Sequence, residues 1–393
     1  MSSALDHLKE LDQSGGARIP GEPHVMPQTS RLNSEMTSRS RGQWAGLSAA
    51  VLFGCSAPLI STLTTTGSPL TLAGLLYGGA ALMLCPLQLL KARQSQETPV
   101  QRGDWGGLVM LTLLGGVVGP LALVNGLTLL SPASSSLMLN LETVFTLLIA
   151  VLIGREHIGS RGVIAAALTI SGALILSEGS LDGSTWQGGA WITLATLAWG
   201  IDNTISQRLS LRNPLQIAAI KSLGATVPML GLAFAMHERF PSPAAMAFLL
   251  LIGALGYGLS IWLDLVALRN LGAAREAVLF AAAPFIGALF SVIVLQVQLT
   301  VAITLASLLM LIGMLVLLGE EHTHSHRHAL QRHNHRHRHD PQAGSLHHNH
   351  DHPLEWLPEN ANQEPFWHAH DHVHDEQEHE HPHVSDAHHR HQH

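Results

Sequence analysis

GLTLLSPASSSLMLNLETVF, residues 126–145, and VALRNLGAAREAVLFAAAPF, residues 266–285, read as two versions of one pattern set 140 positions apart. At that offset Gly116 meets Gly256, Ala133 meets Ala273 and Phe145 meets Phe285. Further on, the polar break Glu156-His157-Ile158-Gly159-Ser160 meets Gln296-Val297-Gln298-Leu299-Thr300. Near the start of each half, Leu52-Phe53-Gly54 aligns with Ala198-Trp199-Gly200, six residues out of that register. Each half thus reads as five helices. An odd number of crossings turns the second copy upside down, and loop charge agrees. The break at Arg155 is basic while its partner at Gln296 is not, and Arg269 and Arg275 are basic where Leu129 and Ser135 are not. Inverted repeats of this kind belong to secondary transporters, with a midplane site at the repeat interface.

The distribution of residue types supports a membrane class. The chain has 393 residues, 47% hydrophobic and only 12% charged, about half the charge of an ordinary soluble domain. Residues 1–43 are polar and rich in Ser, Arg, Pro and Gly, which predicts a disordered segment and no signal peptide. From there to residue 319 ten apolar blocks follow one another, at about 44–64, 69–90, 105–128, 133–153, 160–177, 187–207, 214–236, 243–268, 273–295 and 299–319. Each is near the roughly 20 residues a helix needs to cross the hydrocarbon core. Trp44, Trp105 and Trp186 open three of them, as interfacial anchors do. The expected fold is therefore an all-α polytopic membrane protein of ten transmembrane helices in two inverted five-helix repeats, 44–178 and 186–319.

Topology follows from loop charge. The loops after the second, fourth, sixth and eighth blocks carry Lys91, Arg93, Arg102, Arg155, Arg161, Arg208, Arg212, Arg269 and Arg275, against Arg239 alone on the other side. Positive residues stay inside, so both termini are expected in the cytoplasm of a plasma (inner) membrane protein. Cys55 and Cys85 fall at different depths and read as small packing residues.

The ionisable residues inside the apolar blocks carry the functional reading, because such residues are costly in lipid and mark substrate or ion paths. Asp202, with Asn203 beside it, lies nine or ten residues before the turn at Leu211-Arg212, and Lys221 as far after it. In an antiparallel hairpin the acid and the base reach similar depth and can pair; a purely structural pair that fixes register is the alternative. Glu142 stands ten residues beyond the Pro132 break, about 15 Å into the bilayer. It reads as a proton- or cation-handling carboxylate, with Asn140 and Asn125 near it; a protonated acid bonded to backbone is the alternative. Asp264, Arg269, Arg275 and Glu276 fall near block ends and read as interfacial gates or snorkelling charges. Pro58, Pro120 and Pro284 interrupt blocks and can free carbonyls toward a cavity.

Residues 320–393 hold 23 of the 27 histidines. His322, His324, His326 and His328, then His333, His335, His337 and His339, then His368, His370, His372 and His374 alternate with other residues. With few aliphatic residues this tail is expected to be disordered, and its imidazoles beside carboxylates suit Zn, Ni, Co or Cu. No cofactor is required by the membrane region.

At this point the halves resemble two EamA-type repeats of the drug/metabolite transporter superfamily. The resemblance rests on Trp199-Gly200, on Glu142-Thr143-Val144-Phe145 leading to Gly154-Arg155-Glu156, on Ala283-Pro284-Phe285, and on Gly172 and Gly313. Thr143, Arg155 and Gln296 depart from the family pattern. Trp199-Gly200-Ile201-Asp202-Asn203, Ile220-Lys221, Gly256-Tyr257-Gly258 and Ala267-Leu268-Arg269, with the histidine tail, resemble one subgroup of such permeases. The resemblance implies a ten-helix carrier. The expected function is a secondary transporter exporting a small metabolite by alternating access, as monomer or homodimer, with lipid and a small molecule as partners and no nucleic acid. A divalent-metal exporter with a sensing tail is the alternative. No phosphate loop, nucleophile elbow or HExxH motif points to an enzyme.

Overall fold

Helices occupy all ten apolar blocks in the computed structural model of the chain. It describes residues 28–91, 98–154, 159–177, 184–209, 212–271, 276 and 279–318, and within the tail 323–328, 331–339, 366–374 and 377–382. Among the described residues the first two helices are α1 Gln28–Ser61 and α2 Pro69–Lys91. A third is interrupted, with α3 Trp105–Leu111 and α4 Gly119–Leu127 joined through a π-helical segment, Thr112–Val118. The fourth is broken into α5 Pro132–Met138 and α6 Leu141–Gly154, and α7 Ser160–Ser177 closes the first half. The second half holds α8 Ser184–Leu209 and α9 Pro214–Ala235, then α10 Pro243–Ile252 and α11 Ser260–Leu271 around a second π segment, Gly253–Leu259. It ends on α12 Ala283–Ile293 and α13 Val301–Leu318. Seven of these helical stretches are long and apolar enough to cross a membrane, and Ala283–Ile293 and Val301–Leu317 are shorter apolar helices.

Two differences from the sequence reading lie at the ends. Helix α1 begins at Gln28, inside the segment expected to be disordered, although its apolar span starts only at Ser40. The tail, also expected to be disordered, contains four strands: β1 Thr323–His328, β2 Gln331–His339, β3 Phe366–His374 and β4 Gln377–Pro382. They form two two-stranded sheets, β1 with β4 and β2 with β3. Alternating histidines have the period of a strand, and backbone hydrogen bonding needs no apolar core. In the β1–β4 ladder His324 stands opposite His381 and His326 opposite His379. His322 lies outside the described residues. By its contacts the chain divides into residues 35–336 with 368–393, which hold the bundle, and residues 1–34 with 337–367.

Packing inside the bundle relies on small residues. Ala49, Ala50, Ala73, Ala80, Ala195, Ala225, Ala233 and Ala306 are wholly inaccessible, while Leu82, Leu89, Phe234 and Val301 are exposed. Small side chains inside and large apolar ones outside suit a bundle whose surroundings are lipid, where helices gain from close backbone contact. Trp105 and Trp186, at or near helix starts, and Trp44, near the start of the apolar span of α1 that opens at Ser40, are likewise exposed.

The contacts also obey an exchange rule between the halves. Helix α2 packs on α9, its counterpart in the second half, and α7 on α13. Gly74 faces Leu230, Gly78 faces Thr226, and Cys85 Sγ lies 3.9 Å from the Ala219 carbonyl oxygen, so numbers rise along α2 as they fall along α9. Likewise Gly172 faces Ala306 and Met310, while Gly313 faces Ala165 and Thr169. Both self-paired contacts are therefore antiparallel. Gly54 of α1 lies on the Ala283 backbone, and Gly200 of α8 on Phe145 and Thr146, so each repeat's first helix meets the other repeat's broken fourth. The proline readings are refined by the breaks. Pro120 and Pro284 stand in the first turns of α4 and α12, where a missing N–H costs little, whereas Pro58 lies inside α1.

The tightest crossing joins α2 to the second π segment. A methyl group on Gly79 would strike the Leu250 carbonyl, and one on Gly253 the Leu76 carbonyl. Backbone cannot move aside as a side chain can, so Gly253→Ala should cost about 1–3 kcal/mol. The expected readout is a lower thermal midpoint for the detergent-purified protein. Gly231→Ala, where nothing lies within 4 Å, should leave the midpoint unchanged.

Candidate functional site: a polar cluster between the repeats

Asp202 and Lys221 face each other from α8 and α9, with Nζ donating to Oδ2 at 2.6 Å. Both are buried, each 5% exposed. Their hairpin is ordered by local chemistry. Asn213 caps α9, its side chain accepting from the amides of Leu215 and Gln216, and Pro214 follows in the first turn. Arg212 in the same turn binds Asp104 at 2.8 Å through Nε, which ties the hairpin to the start of the third helix.

Space for the acid is made by the first π segment. Gly115 faces the Asp202 carboxylate so closely that any side chain there would overlap it. A π turn shifts the hydrogen-bond ladder by one residue and often marks a functional site. Here the Gly115 carbonyl accepts from the Tyr77 hydroxyl at 2.7 Å and from the Trp199 indole at 3.1 Å. One carbonyl thus joins helices from both halves.

Glu142 occupies the first turn of α6, just past the break at Leu139–Asn140. The break arises where Leu139 and Asn140 amides bond back to Ser136 and Leu137 rather than continuing an α ladder. Helix starts favour negative charge, so the break both places the acid and stabilises it. Its Oε1 accepts from Asn203 Nδ2 at 2.6 Å. Glu142 is half-buried and Asn203 exposed, although their neighbours Asp202 and Lys221 are buried, so this pair opens onto space between helices.

Asp264 of α11 and Glu276 join the same neighbourhood. Their carboxyl groups stand within hydrogen-bonding reach of each other, Asp264 lies within electrostatic range of Asp202 and Lys221, and both lie within range of Glu142. The sequence reading put them near membrane surfaces as gates or snorkelling charges; the structure brings both into the interior cluster. Asp264 lies seven residues after Tyr257, two full turns, so a shared helix face was the available signal. Arg269 and Arg275 have no described side chains. Tyr77 went unread, because a lone aromatic in an apolar block has no distinguishing pattern, and Tyr257 entered only through the resemblance carried by Gly256-Tyr257-Gly258.

Two residues read as neighbours of Glu142 bond to groups on other residues. Asn125 Nδ2 donates to the Leu121 carbonyl at 2.7 Å on its own helix. Asn140 is buried, donating to the Leu137 carbonyl at 2.8 Å and toward Met310 Sδ of α13 at 3.8 Å. Both amides satisfy local backbone, the usual behaviour of polar side chains inside helices. His324, His326 and His328 fall on β1, His333, His335, His337 and His339 on β2, and His368, His370, His372 and His374 on β3. Among the described residues no group of three or more His, Cys, Asp or Glu is arranged to hold a metal ion.

Several known proteins share this arrangement of sequence. The pattern of the EamA-like transporter family matches residues 40–178 and again 186–319. An uncharacterized transporter of Methanothermobacter thermautotrophicus is 26% identical over 289 residues, 69% of this chain and 84% of its own. An uncharacterized protein of Pseudomonas aeruginosa is 28% identical over 246 residues, 62% of this chain and 81% of its own. A solved crystal structure of a protein matches the fold with a TM-score of 0.54 at 17% identity, covering 71% of this chain and 96% of that one. With two copies of one family domain filling the apolar region, the chain belongs to the EamA-like transporter family and is a membrane transporter.

Proposed function

We propose that this chain is a secondary carrier that exports a small metabolite by alternating access, its two five-helix repeats inverted relative to each other in an inner membrane. The single observation that carries the reading is the bond from Asn203 to Glu142, 2.6 Å long, between the second repeat and the first. Rocking one repeat against the other would break such a bond on one face of the site. The antiparallel contacts of α2 with α9 and α7 with α13 support inversion, since a two-fold axis relating opposed helices lies across them. Both termini then face the cytoplasm, where the histidine tail binds divalent transition ions without their being the cargo. A metal-exporter reading draws no support from the interior, whose described acids do not converge on an ion.

In proteoliposomes screened for solute flux, Glu142→Gln and Asp202→Asn should each lower transport by about tenfold or more. Membrane insertion and the detergent elution profile should be retained. Full activity of both variants would remove these residues from the path. The charge-exchanged double variant Asp202→Lys/Lys221→Asp separates the two roles of the pair. Recovered stability with lost transport is expected, whereas recovered transport would make the pair a register device.

Inversion has its own test. Single cysteines introduced at Arg155 and Gln296 in a background lacking Cys55 and Cys85 should label from opposite sides of right-side-out vesicles. Labelling of both from one side would sink the inverted arrangement.

A further inference from the structure

We infer that the site selects an organic cation with a ring-bearing apolar body, of the class of aromatic amines; this rests on the carrier reading above. Two independent features of the interior meet at Gly115. One is a group of aromatic rings drawn from both repeats. Phe53 of α1 packs against Trp199 of α8 with centroids 5.7 Å apart and planes at 76°, against Tyr257 at 6.0 Å and 64°, and against Phe280 at 5.4 Å and 36°. Tyr77 of α2 completes the group, 5.5 Å from Tyr257. Phe53 and Phe280 are half-buried, the other three buried.

The other feature is an excess of acid. Among the described groups of the cluster, Glu142, Asp202, Asp264 and Glu276 face a single base, Lys221, and that base is committed to Asp202. The two features share a boundary, because Trp199 and Tyr77 bond the carbonyl of the residue that abuts the Asp202 carboxylate.

Unsatisfied polar atoms mark the same place. Asp202 Oδ1 and the Tyr257 hydroxyl are buried without a hydrogen-bond partner, in residues 5% and 1% exposed, as is Asp264 Oδ1. The Tyr257 hydroxyl stands near Ser56, whose own hydroxyl donates to the Phe53 carbonyl at 2.6 Å. Buried polar atoms are ordinarily paired, and a donor brought by a ligand would pair these acceptors. An ammonium group supplies several donors and a positive charge, while aromatic faces attract cations and pack against rings. A carboxylate ligand would instead meet like charge, and a neutral polyol would place hydroxyls against rings that return no hydrogen bonds.

The test uses the purified full-length chain in detergent and isothermal titration with three probes of one shape: 2-phenylethylamine, phenylacetate and 2-phenylethanol. The amine should bind about tenfold or more tightly than either counterpart. Asp264→Asn/Glu276→Gln should weaken the amine by about tenfold or more, and Phe53→Ala by several-fold, both variants retaining the helical circular dichroism of the parent. Binding of phenylacetate or the alcohol as tight as the amine would overturn the inference, as would absence of amine binding to the folded protein. Flux of the same probes into proteoliposomes keeps the two readings apart. Amine binding without flux of any solute would sink the carrier and keep the cation site. Flux of an anion without amine binding would keep the carrier and sink the cation site.

Discussion

A carboxylate and an ammonium held 2.6 Å apart between two helices, each 5% exposed, is the contact on which the interior arrangement turns. Taking both charges out of water is costly, and the pair is tolerated only if each partner remains in place. Three structural features follow from that demand. The turn at Asn213-Pro214 fixes the register of α8 on α9. Gly115 leaves room for the acid, and the π segment that carries it offers a carbonyl for Trp199 and Tyr77. The acid's second oxygen is nonetheless left without a partner. Apolar residues of similar volume would have avoided that cost.

Helix breaks place the remaining polar groups. In lipid, backbone that leaves the α ladder is tolerated only where protein or a cavity surrounds it, and the breaks here recur in both halves. The π segments Thr112–Val118 and Gly253–Leu259 start 141 residues apart, one position from the register of the sequence repeat, and the turns at Leu139–Asn140 and Ala281–Ala282 are similarly spaced. Such correspondence places the irregular backbone around one shared interior. It also explains why Glu142, at the first turn after a break, stands free of a continuous helix above it.

What the sequence made legible was periodic or charged. Ten apolar blocks, their boundaries and the doubling of the chain could be read because hydropathy and small-residue spacing repeat. The pairing of Asp202 with Lys221 followed from equal distance to one turn. Asp264 and Glu276 were read near membrane surfaces because they lie near block ends, whereas their carboxyl groups stand beside each other and within range of Glu142. The amides of Asn125 and Asn140 turn to backbone of their own helices, a local bond that apolar patterning does not signal.

The two halves share a frame but not a chemistry, and the difference lies where the repeat would otherwise make the interior symmetric. Ser56 holds the position in α1 that Asp202 holds in α8, and its hydroxyl bonds the Phe53 carbonyl rather than a base. Ala282 stands where Glu142 does, and Val117 where Tyr257 does. Gly256 packs on Ser56, and Gly115, one position from the repeat counterpart Gly116, packs on Asp202, so a small residue at the crossing was kept while the group it makes room for changed. Duplication therefore accounts for the backbone geometry, and divergence at a few facing positions accounts for charge. A symmetric interior would present one environment twice; here Glu142, Asp202 and Tyr257 have no like residue at the matching positions Ala282, Ser56 and Val117, so the two halves differ in charge while sharing a frame.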